Sequence, residues 1–270
     1  MTAQRWDVDS VATELLACEA ERRDRVKFTD EWPELDVETG YRIQDETLRR
    51  RLARGEKLIR VKLGLTSRAK QQRMNVDTPF VAWLTDAMIL PAGDPVPQDQ
   101  LIHPRIEPEI VFVMRERLAG PGVTGAQAMA AVGSILGGVE IIDSRYKDFK
   151  FTAGDVIADN ASSGAFVTGG ITLPPEAIDL ATEAVLMEVD GEIVDSATGA
   201  AVQGHPGEAL ALAANDLAKR GLAIEAGWIV LTGGITDAVF APPGSSIAAH
   251  FAHLGSVFVA GGAAPSGEAG

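Results

Sequence analysis

Three glutamates in two apolar segments are the residues of this sequence best suited to chemistry. Glu107 and Glu109 lie two residues apart in HPRIEPEIVFVM, so a strand would place both side chains on one side. Glu140 lies in a second apolar run, GGVEIID, which ends at Asp143. Carboxylates buried side by side repel each other and lose hydration, and a cation bound through oxygen compensates both effects. The spacing predicts a Mg²⁺ or Mn²⁺ site, and the alternative is a solvated strand edge marked by Pro108.

A lysine in the run LIRVKLGLTS is the second candidate. Arg60 and Lys62 share one face of this alternating segment, and Ile59, Val61 and Leu63 form the other. The alternation predicts a strand. If the face that carries Arg60 and Lys62 is exposed to solvent, both are ordinary surface charges without a role in chemistry. Alternatively, Lys62 beside the Gly-Leu-Thr-Ser turn binds a carboxylate or acts as an acid.

The run DVIADNASSGAF concentrates small polar residues immediately before an apolar segment. It contains Asp155, Asp159, Asn160, Ser162 and Ser163. Consecutive N–H and hydroxyl donors in a turn can bind an anion. The alternative is an ordinary loop in which these side chains bond to their own backbone.

A basic segment, SRYKDFKF, closely follows Glu140 and contains Arg145, Lys147 and Lys150. Such residues are commonly surface charges. Their position after a candidate metal ligand, in an otherwise acidic chain, favours a role in binding an anionic substrate.

Composition limits the classes of protein to which the chain can belong. With 270 residues, 46% hydrophobic but only 6% aromatic, the core must consist mainly of Val, Ile, Leu and Ala. A net charge of −14 argues against nucleic acid or an anionic membrane as a partner. The single cysteine, Cys18, gives no intrachain disulfide framework and fits a reducing compartment. Because no apolar signal core or membrane-length apolar stretch is evident, we expect a cytoplasmic protein.

The pattern of elements predicts an α+β fold with a mainly β core. Helices are predicted at 9–27, 37–54, 125–136 and 206–220. Strands are predicted at 57–64, 106–113, 138–143, 164–169, 184–189, 192–195, 227–232 and 255–260, with Asp190-Gly191 as a hairpin turn. We expect an N-terminal helical portion with the lysine-motif strand at 1–95, a β-rich metal-binding core at 96–260, and a disordered tail at 261–270.

Four segments together resemble the hydratase/decarboxylase branch of the fumarylacetoacetate hydrolase superfamily. They are KLGLTS at 62–67, HPRIEPE at 103–109, GGVEIIDSR at 137–145 and DVIADNASSGAFVTG at 155–169. The resemblance implies a barrel-like, mainly β core with an N-terminal helical part. It also implies that Glu107, Glu109 and Glu140 bind Mg²⁺ or Mn²⁺, and that Lys62 is the lysine of the family motif.

Within this branch, the sequence is more similar to the decarboxylases than to the hydratases. Hydratases usually carry a P-D-F-G element after the lysine motif, whereas this chain has MNVDTPFVAWLTDAM at 74–88. SRYKDFKF at 144–151 and LTGGITDAV at 231–239 are also similar to the decarboxylases. The implied activity is metal-dependent decarboxylation of 2-oxo-3-hexenedioate to 2-hydroxypenta-2,4-dienoate and CO₂, in meta-cleavage catabolism of aromatic compounds. The alternatives are a hydratase of 2-hydroxypenta-2,4-dienoate and a non-catalytic metal-binding partner subunit.

The implied substrate is a small dianionic 2-oxo acid, and no organic cofactor is required. The expected catalytic residues are Lys62, Asp77, Ser162 and Ser163, although Asp77 is only an approximate counterpart of the hydratase aspartate. The expected substrate contacts are Arg145, Lys147, Thr66 and Ser67. The resemblance further implies a homo-oligomer in complex with a homologous hydratase, because the dienol product drifts to an unreactive keto form.

Overall fold

Two β-sheets carry nearly half of the buried apolar side chains in the computed structural model, which describes residues 6–68, 71–72, 76 and 79–263. The strands are β1 (Leu58–Gly64), β2 (Phe80–Thr85), β3 (Arg105–Met114), β4 (Val132–Ile142), β5 (Ser163–Leu173), β6 (Ala184–Val189), β7 (Glu192–Thr198), β8 (Ile229–Leu231), β9 (Val239–Phe240), β10 (Ser246–Phe251) and β11 (Gly255–Ala260). The larger sheet has the order β2-β1-β8-β3-β4-β5, with β9 paired to β3, and the smaller has the order β11-β10-β6-β7.

The larger sheet is mixed, because β1 and β8 run parallel while its other pairs are antiparallel. Its central strand β3 is almost wholly buried, as its Ile- and Val-rich sequence predicts. The main core is built largely from aliphatic residues, in line with the low aromatic content. The predicted α+β class with a mainly β core is confirmed.

Five α-helices lie wholly within the described residues: α1 (Val8–Glu21), α2 (Val37–Ala53), α3 (Gly125–Ala130), α4 (Ala153–Ala158) and α5 (Pro206–Lys219). The Asp36 carboxylate caps α2 by accepting a hydrogen bond of 2.8 Å from the Thr39 N–H, as the sequence predicts. Apolar side chains of α1, α2 and α4 form a second buried cluster around Phe28 and Tyr146. None of the helices described is long and apolar enough to cross a membrane.

Two predicted helices are longer than the helices observed. The helix predicted at 9–27 ends at Glu21, because Arg22 takes a left-handed conformation with φ 54° and closes it. The helix predicted at 125–136 ends at Ala130, and the residues from Val132 onward form β4. This apolar run pairs with β3, and that tertiary pairing overrides the helical preference of its alanines.

The predicted hairpin at Asp190-Gly191 is confirmed. Both residues have positive φ, 51° and 86°, and they join the antiparallel strands β6 and β7, as in a tight hairpin turn. The domain division after residue 95 stays a prediction. Strands β1 and β2 precede that position and lie in the same sheet as β3, β4 and β5, which follow it. The tail prediction falls mostly on residues 264–270, which lie outside the described part of the chain.

Candidate active site

The three predicted metal-binding glutamates lie together on the larger sheet. Glu107 in β3 is directly opposite Glu140 in β4, and Glu109 lies two residues further along β3. One carboxylate oxygen from each glutamate lies within 4.8 Å of the other two. This arrangement follows from strand register, because alternate residues of β3 face the same side and antiparallel pairing aligns Glu140 with them.

Burial makes this carboxylate cluster costly without a counter-ion. Glu109 is fully buried, and its Oε2 accepts a hydrogen bond of 2.7 Å from the Gly233 N–H. The Oε1 atoms of Glu109 and Glu140 accept no hydrogen bond from any described residue. Burial raises the pKa of Glu109 well above its ordinary value, and repulsion by Glu140 and Glu107 raises it further.

The same oxygens fit a hard divalent cation. Burial also raises the pKa of Glu140, although the neighbouring Lys62 ammonium opposes the shift. Buried carboxylate oxygens without donors are the ligands that Mg²⁺ and Mn²⁺ prefer. Asp143 does not belong to this set, since its carboxylate accepts backbone N–H bonds from Ile102 and His103.

Lys62 lies beside the carboxylate cluster on β1. Its Nζ donates hydrogen bonds to Oε2 of Glu140 at 3.1 Å and to the carbonyl oxygen of Ala161 at 2.6 Å. Oε1 of Glu140 is 3.0 Å from the same nitrogen but lacks hydrogen-bond geometry. Because Lys62 is only 3% exposed, its interpretation as a cation on a wet strand face is wrong.

A left-handed turn directs the Ala161 carbonyl at Lys62. Asn160, Ala161 and Ser162 have φ values of 49°, 49° and 58°, a conformation that costs roughly 1–2 kcal/mol per residue. The Asn160 side chain offsets part of this cost, because its amide bonds to both the N–H and the carbonyl of Trp83, at 2.9 and 2.8 Å. The strained turn thus joins α4 to β5 and is tied to β2.

A cavity of about 580 Å³ opens over the cluster. Its polar lining includes six of the residues predicted from sequence: Lys62, Thr66, Ser67, Glu107, Glu140 and Ser162. Much of the remaining lining is apolar, with Phe80, Phe149, Phe151 and Val156. A small polar molecule with an unsaturated carbon chain would find both kinds of surface here.

Three other predicted site residues that the structure describes, Arg145, Lys147 and Ser163, do not line this cavity. Arg145 is buried, and its guanidinium donates to the Asp159 carboxylate and to backbone carbonyls of Asp159 and Ser163. Lys147 is exposed on the surface. The Ser163 hydroxyl donates to the Asn160 carbonyl and does not line the cavity. The prediction for Asp77 lies outside the described residues.

Sequence reasoning missed two features of the site. Arg105 lines the cavity, and its position two residues before Glu107 in a strand was a signal that could have identified it. The glycines of LTGGIT come close to the cluster: Gly233 bonds to Glu109, and a Cβ at Gly234 would lie 2.8 Å from the Glu107 carboxylate.

Comparison with known proteins identifies relatives over nearly the whole chain. A 4-oxalocrotonate decarboxylase from Pseudomonas putida is 44% identical over 256 residues, covering 95% of this chain and 97% of the relative. A 2-hydroxyhexa-2,4-dienoate hydratase from Comamonas testosteroni is 42% identical over 219 residues, covering 80% and 83%. No protein-family model matches the chain.

Solved structures show the same relationship. The 4-oxalocrotonate decarboxylase of Pseudomonas putida G7, complexed with magnesium and adipate, superposes with a TM-score of 0.91 at 43% identity, covering 94% of this chain and 96% of that one. A fumarylacetoacetate hydrolase from Exiguobacterium antarcticum gives a TM-score of 0.58 at 16% identity, covering 78% and 76%, a likeness of fold alone. The chain therefore belongs to the family of the 4-oxalocrotonate decarboxylases and the related dienoate hydratases, and it has the fold of the fumarylacetoacetate hydrolases.

Proposed function

We propose that the protein is a Mg²⁺- or Mn²⁺-dependent decarboxylase that converts 2-oxo-3-hexenedioate to 2-hydroxypenta-2,4-dienoate and CO₂. The observation that carries the proposal is the group formed by Glu107, Glu109, Glu140 and Lys62 at the wall of one cavity. A relative of 44% identity is named 4-oxalocrotonate decarboxylase, and the related solved structure holds magnesium. The proposed setting is meta-cleavage catabolism of aromatic compounds.

The three glutamates would hold the cation, because each offers a carboxylate oxygen within 4.8 Å of the other two. Oε1 of Glu109 and Oε1 of Glu140 are also buried without a donor among the described residues. What a divalent cation supplies at such a site is Lewis-acid stabilisation of negative charge that develops on the 2-oxo oxygen. As the C5–C6 bond breaks, its electron pair moves through the C3–C4 double bond to that oxygen, and CO₂ leaves from C6. The phenylalanine side chains in the cavity wall are proposed to limit the access of competing water to the reacting atoms.

Lys62 is proposed to stabilise the dienolate and to deliver the proton that its oxygen takes up. The ammonium group is buried, and both the Ala161 carbonyl and the Glu140 carboxylate fix its position. Thr66, Ser67 and Ser162 line the same cavity, and their hydroxyl groups are proposed to orient the substrate carboxylate.

Product identity tests this proposal. Purified protein with Mg²⁺ is given 2-oxo-3-hexenedioate and 2-hydroxypenta-2,4-dienoate in separate reactions. The proposal expects CO₂ and the dienoate from the first and no hydration of the second. Failure to release CO₂ from the first compound, with metal demonstrably bound, would refute it.

A hydratase of 2-hydroxypenta-2,4-dienoate is the second candidate, because a relative of 42% identity is named a dienoate hydratase. It would use the same carboxylate cluster and add water to the dienoate. Consumption of the second compound without CO₂ release favours this alternative. A non-catalytic metal-binding subunit would bind Mg²⁺ and turn over neither compound.

The proposed assembly is a homo-oligomer that associates with a homologous hydratase. The reason to expect this association is chemical, because a dienol released to water would tautomerise before it reaches the next enzyme. Co-expression followed by size-exclusion chromatography with light scattering tests the association. Separate species at micromolar concentration, together with free escape of the dienol in a trapping assay, would contradict it.

A further inference from the structure

Arg105 lines the cavity and belongs to the same strand as Glu107 and Glu109. It begins β3, two residues before Glu107 and four before Glu109, so all three side chains lie on one face of the strand. Two residues of an antiparallel strand advance the chain by about 6.8 Å. The cavity lining includes both Arg105 and Glu107, so the arginine stands further along the same strand face than the carboxylates.

Two aromatic rings hold the Arg105 guanidinium in place. Its central carbon lies 4.1 Å from the ring centre of Phe149 and 4.3 Å from that of Phe240. Phe240 is the direct cross-strand partner of Arg105 in the β3/β9 pair. Contact with two rings restrains the guanidinium, and its N–H groups remain available for a planar anion.

The guanidinium lacks the hydrogen bonds that a partly buried cation needs. Its Nε is buried without a partner, and no described residue accepts a hydrogen bond from the Arg105 side chain. Burial lowers the pKa of Arg105, against the opposing charges of Glu107 and Asp148, yet arginine keeps its proton in proteins. This contrasts with Arg145, whose guanidinium is bonded to Asp159 and to backbone carbonyls.

We propose that Arg105 binds the carboxylate of a dianionic substrate that lies remote from the end held at the glutamate cluster. The assignment rests on the proposed function for the identity of the substrate, and it makes Arg105 the residue that selects diacids over monoacids. A carboxylate bound in the fork of an arginine is held by charge-assisted bonds. In the proposed reaction this carboxylate leaves as neutral CO₂, so its contact with Arg105 weakens as the reaction proceeds. Arg105 therefore acts mainly on substrate affinity.

Binding of unreactive acids tests the assignment without turnover. Isothermal titration calorimetry in saturating Mg²⁺ compares adipate, a saturated six-carbon diacid, with hexanoate, its monoacid counterpart. Hydrogen bonds to charged groups predict that the wild-type protein prefers adipate by about 10- to 100-fold. In Arg105→Met this preference is lost, while hexanoate affinity stays within about threefold. The matched control, Arg115→Met, replaces a 60% exposed arginine just beyond the other end of β3 and keeps the preference.

A second variant keeps the test decisive. Arg105→Lys retains the charge but not the planar fork, so it should recover part of the adipate preference. A Mg²⁺-induced rise in melting temperature in each variant shows that the fold and the carboxylate cluster are intact. Adipate preference that survives in a folded Arg105→Met protein would overturn the assignment. Absence of decarboxylation, with the preference present and dependent on Arg105, would refute the proposed function alone.

Discussion

Glu109→Gln should stabilise the protein without metal and abolish its response to Mg²⁺. The three carboxylates lie within 4.8 Å of one another, and Glu109 takes part in two of the three pairs. At this separation, and at an effective dielectric constant of about 20, each pair of unit charges repels by about 3.5 kcal/mol. Glutamine keeps an oxygen for the Gly233 N–H and adds an amide donor for the neighbouring carboxylates.

Protonation limits the gain, because a carboxyl group whose pKa is raised gives up its charge when no metal is bound. We therefore expect the free energy of unfolding to rise by about 1–3 kcal/mol in metal-free Glu109→Gln. For a chain of this size the melting temperature should rise by about 2–10 °C. Wild-type protein with Mg²⁺ at one thousand times its Kd should gain about 4.1 kcal/mol, whereas the variant should gain almost nothing.

Thermal unfolding should therefore rank the wild type and Glu109→Gln in opposite orders in a chelator and in Mg²⁺. The variant melts above the wild type in chelator and below it in Mg²⁺. Glu116→Gln is the matched control, since Glu116 is 69% exposed and lies outside the cluster, and it should behave as wild type in both conditions. A variant that melts below the wild type in chelator, or that Mg²⁺ stabilises equally, would refute the electrostatic reasoning.

Three further outcomes are expected from the same geometry. Lys62→Met should lower kcat by about 10²–10⁴-fold in steady-state assays while the Mg²⁺-induced melting shift is retained; a raised KM with unchanged kcat would make Lys62 a substrate clamp. Burial raises the pKa of Glu109 and of Glu140, so both carboxyl groups must lose their protons before the metal binds. The affinity for Mg²⁺ should therefore fall as the pH drops towards the ordinary glutamate pKa of 4.5; a pH-independent Kd by calorimetry would contradict this. Asn160→Ala should lower kcat more than it changes KM, because the turn that carries the Ala161 carbonyl loses its anchor on Trp83; in Asn215→Ala, which removes a similar pair of bonds remote from the cavity, kinetics should be unchanged.

Much of the carboxylate cluster could be predicted because strand periodicity carries the information. Two-residue spacing places Glu107 and Glu109 on one face, and the apolar residues that flank the pair indicate burial. The opposite position of Glu140 depends on the β3/β4 register, which the sequence does not encode locally. The hairpin at Asp190-Gly191 was predictable because its turn chemistry is local.

Which arginine faces the cavity was harder to predict, because proximity in sequence does not give direction in space. Arg145 follows Glu140 by five residues, but the chain leaves β4 at Ile142 and turns its guanidinium towards Asp159. Arg105 precedes the glutamate pair on the same strand and stays on the same face. The segment at 131–136 was misassigned for a related reason, since its pairing partner lies far away in sequence.

Release of labelled CO₂ is the decisive test of metal-dependent decarboxylation by this protein. 2-Oxo-3-hexenedioate labelled with ¹³C at C6 is given to metal-stripped protein, before and after Mg²⁺ is added, and the gas and solution products are followed by mass spectrometry and NMR. We predict labelled CO₂ and unlabelled 2-hydroxypenta-2,4-dienoate only after Mg²⁺ is added. Label that stays in the organic acid with Mg²⁺ bound, or equal CO₂ release from metal-stripped protein, would contradict it.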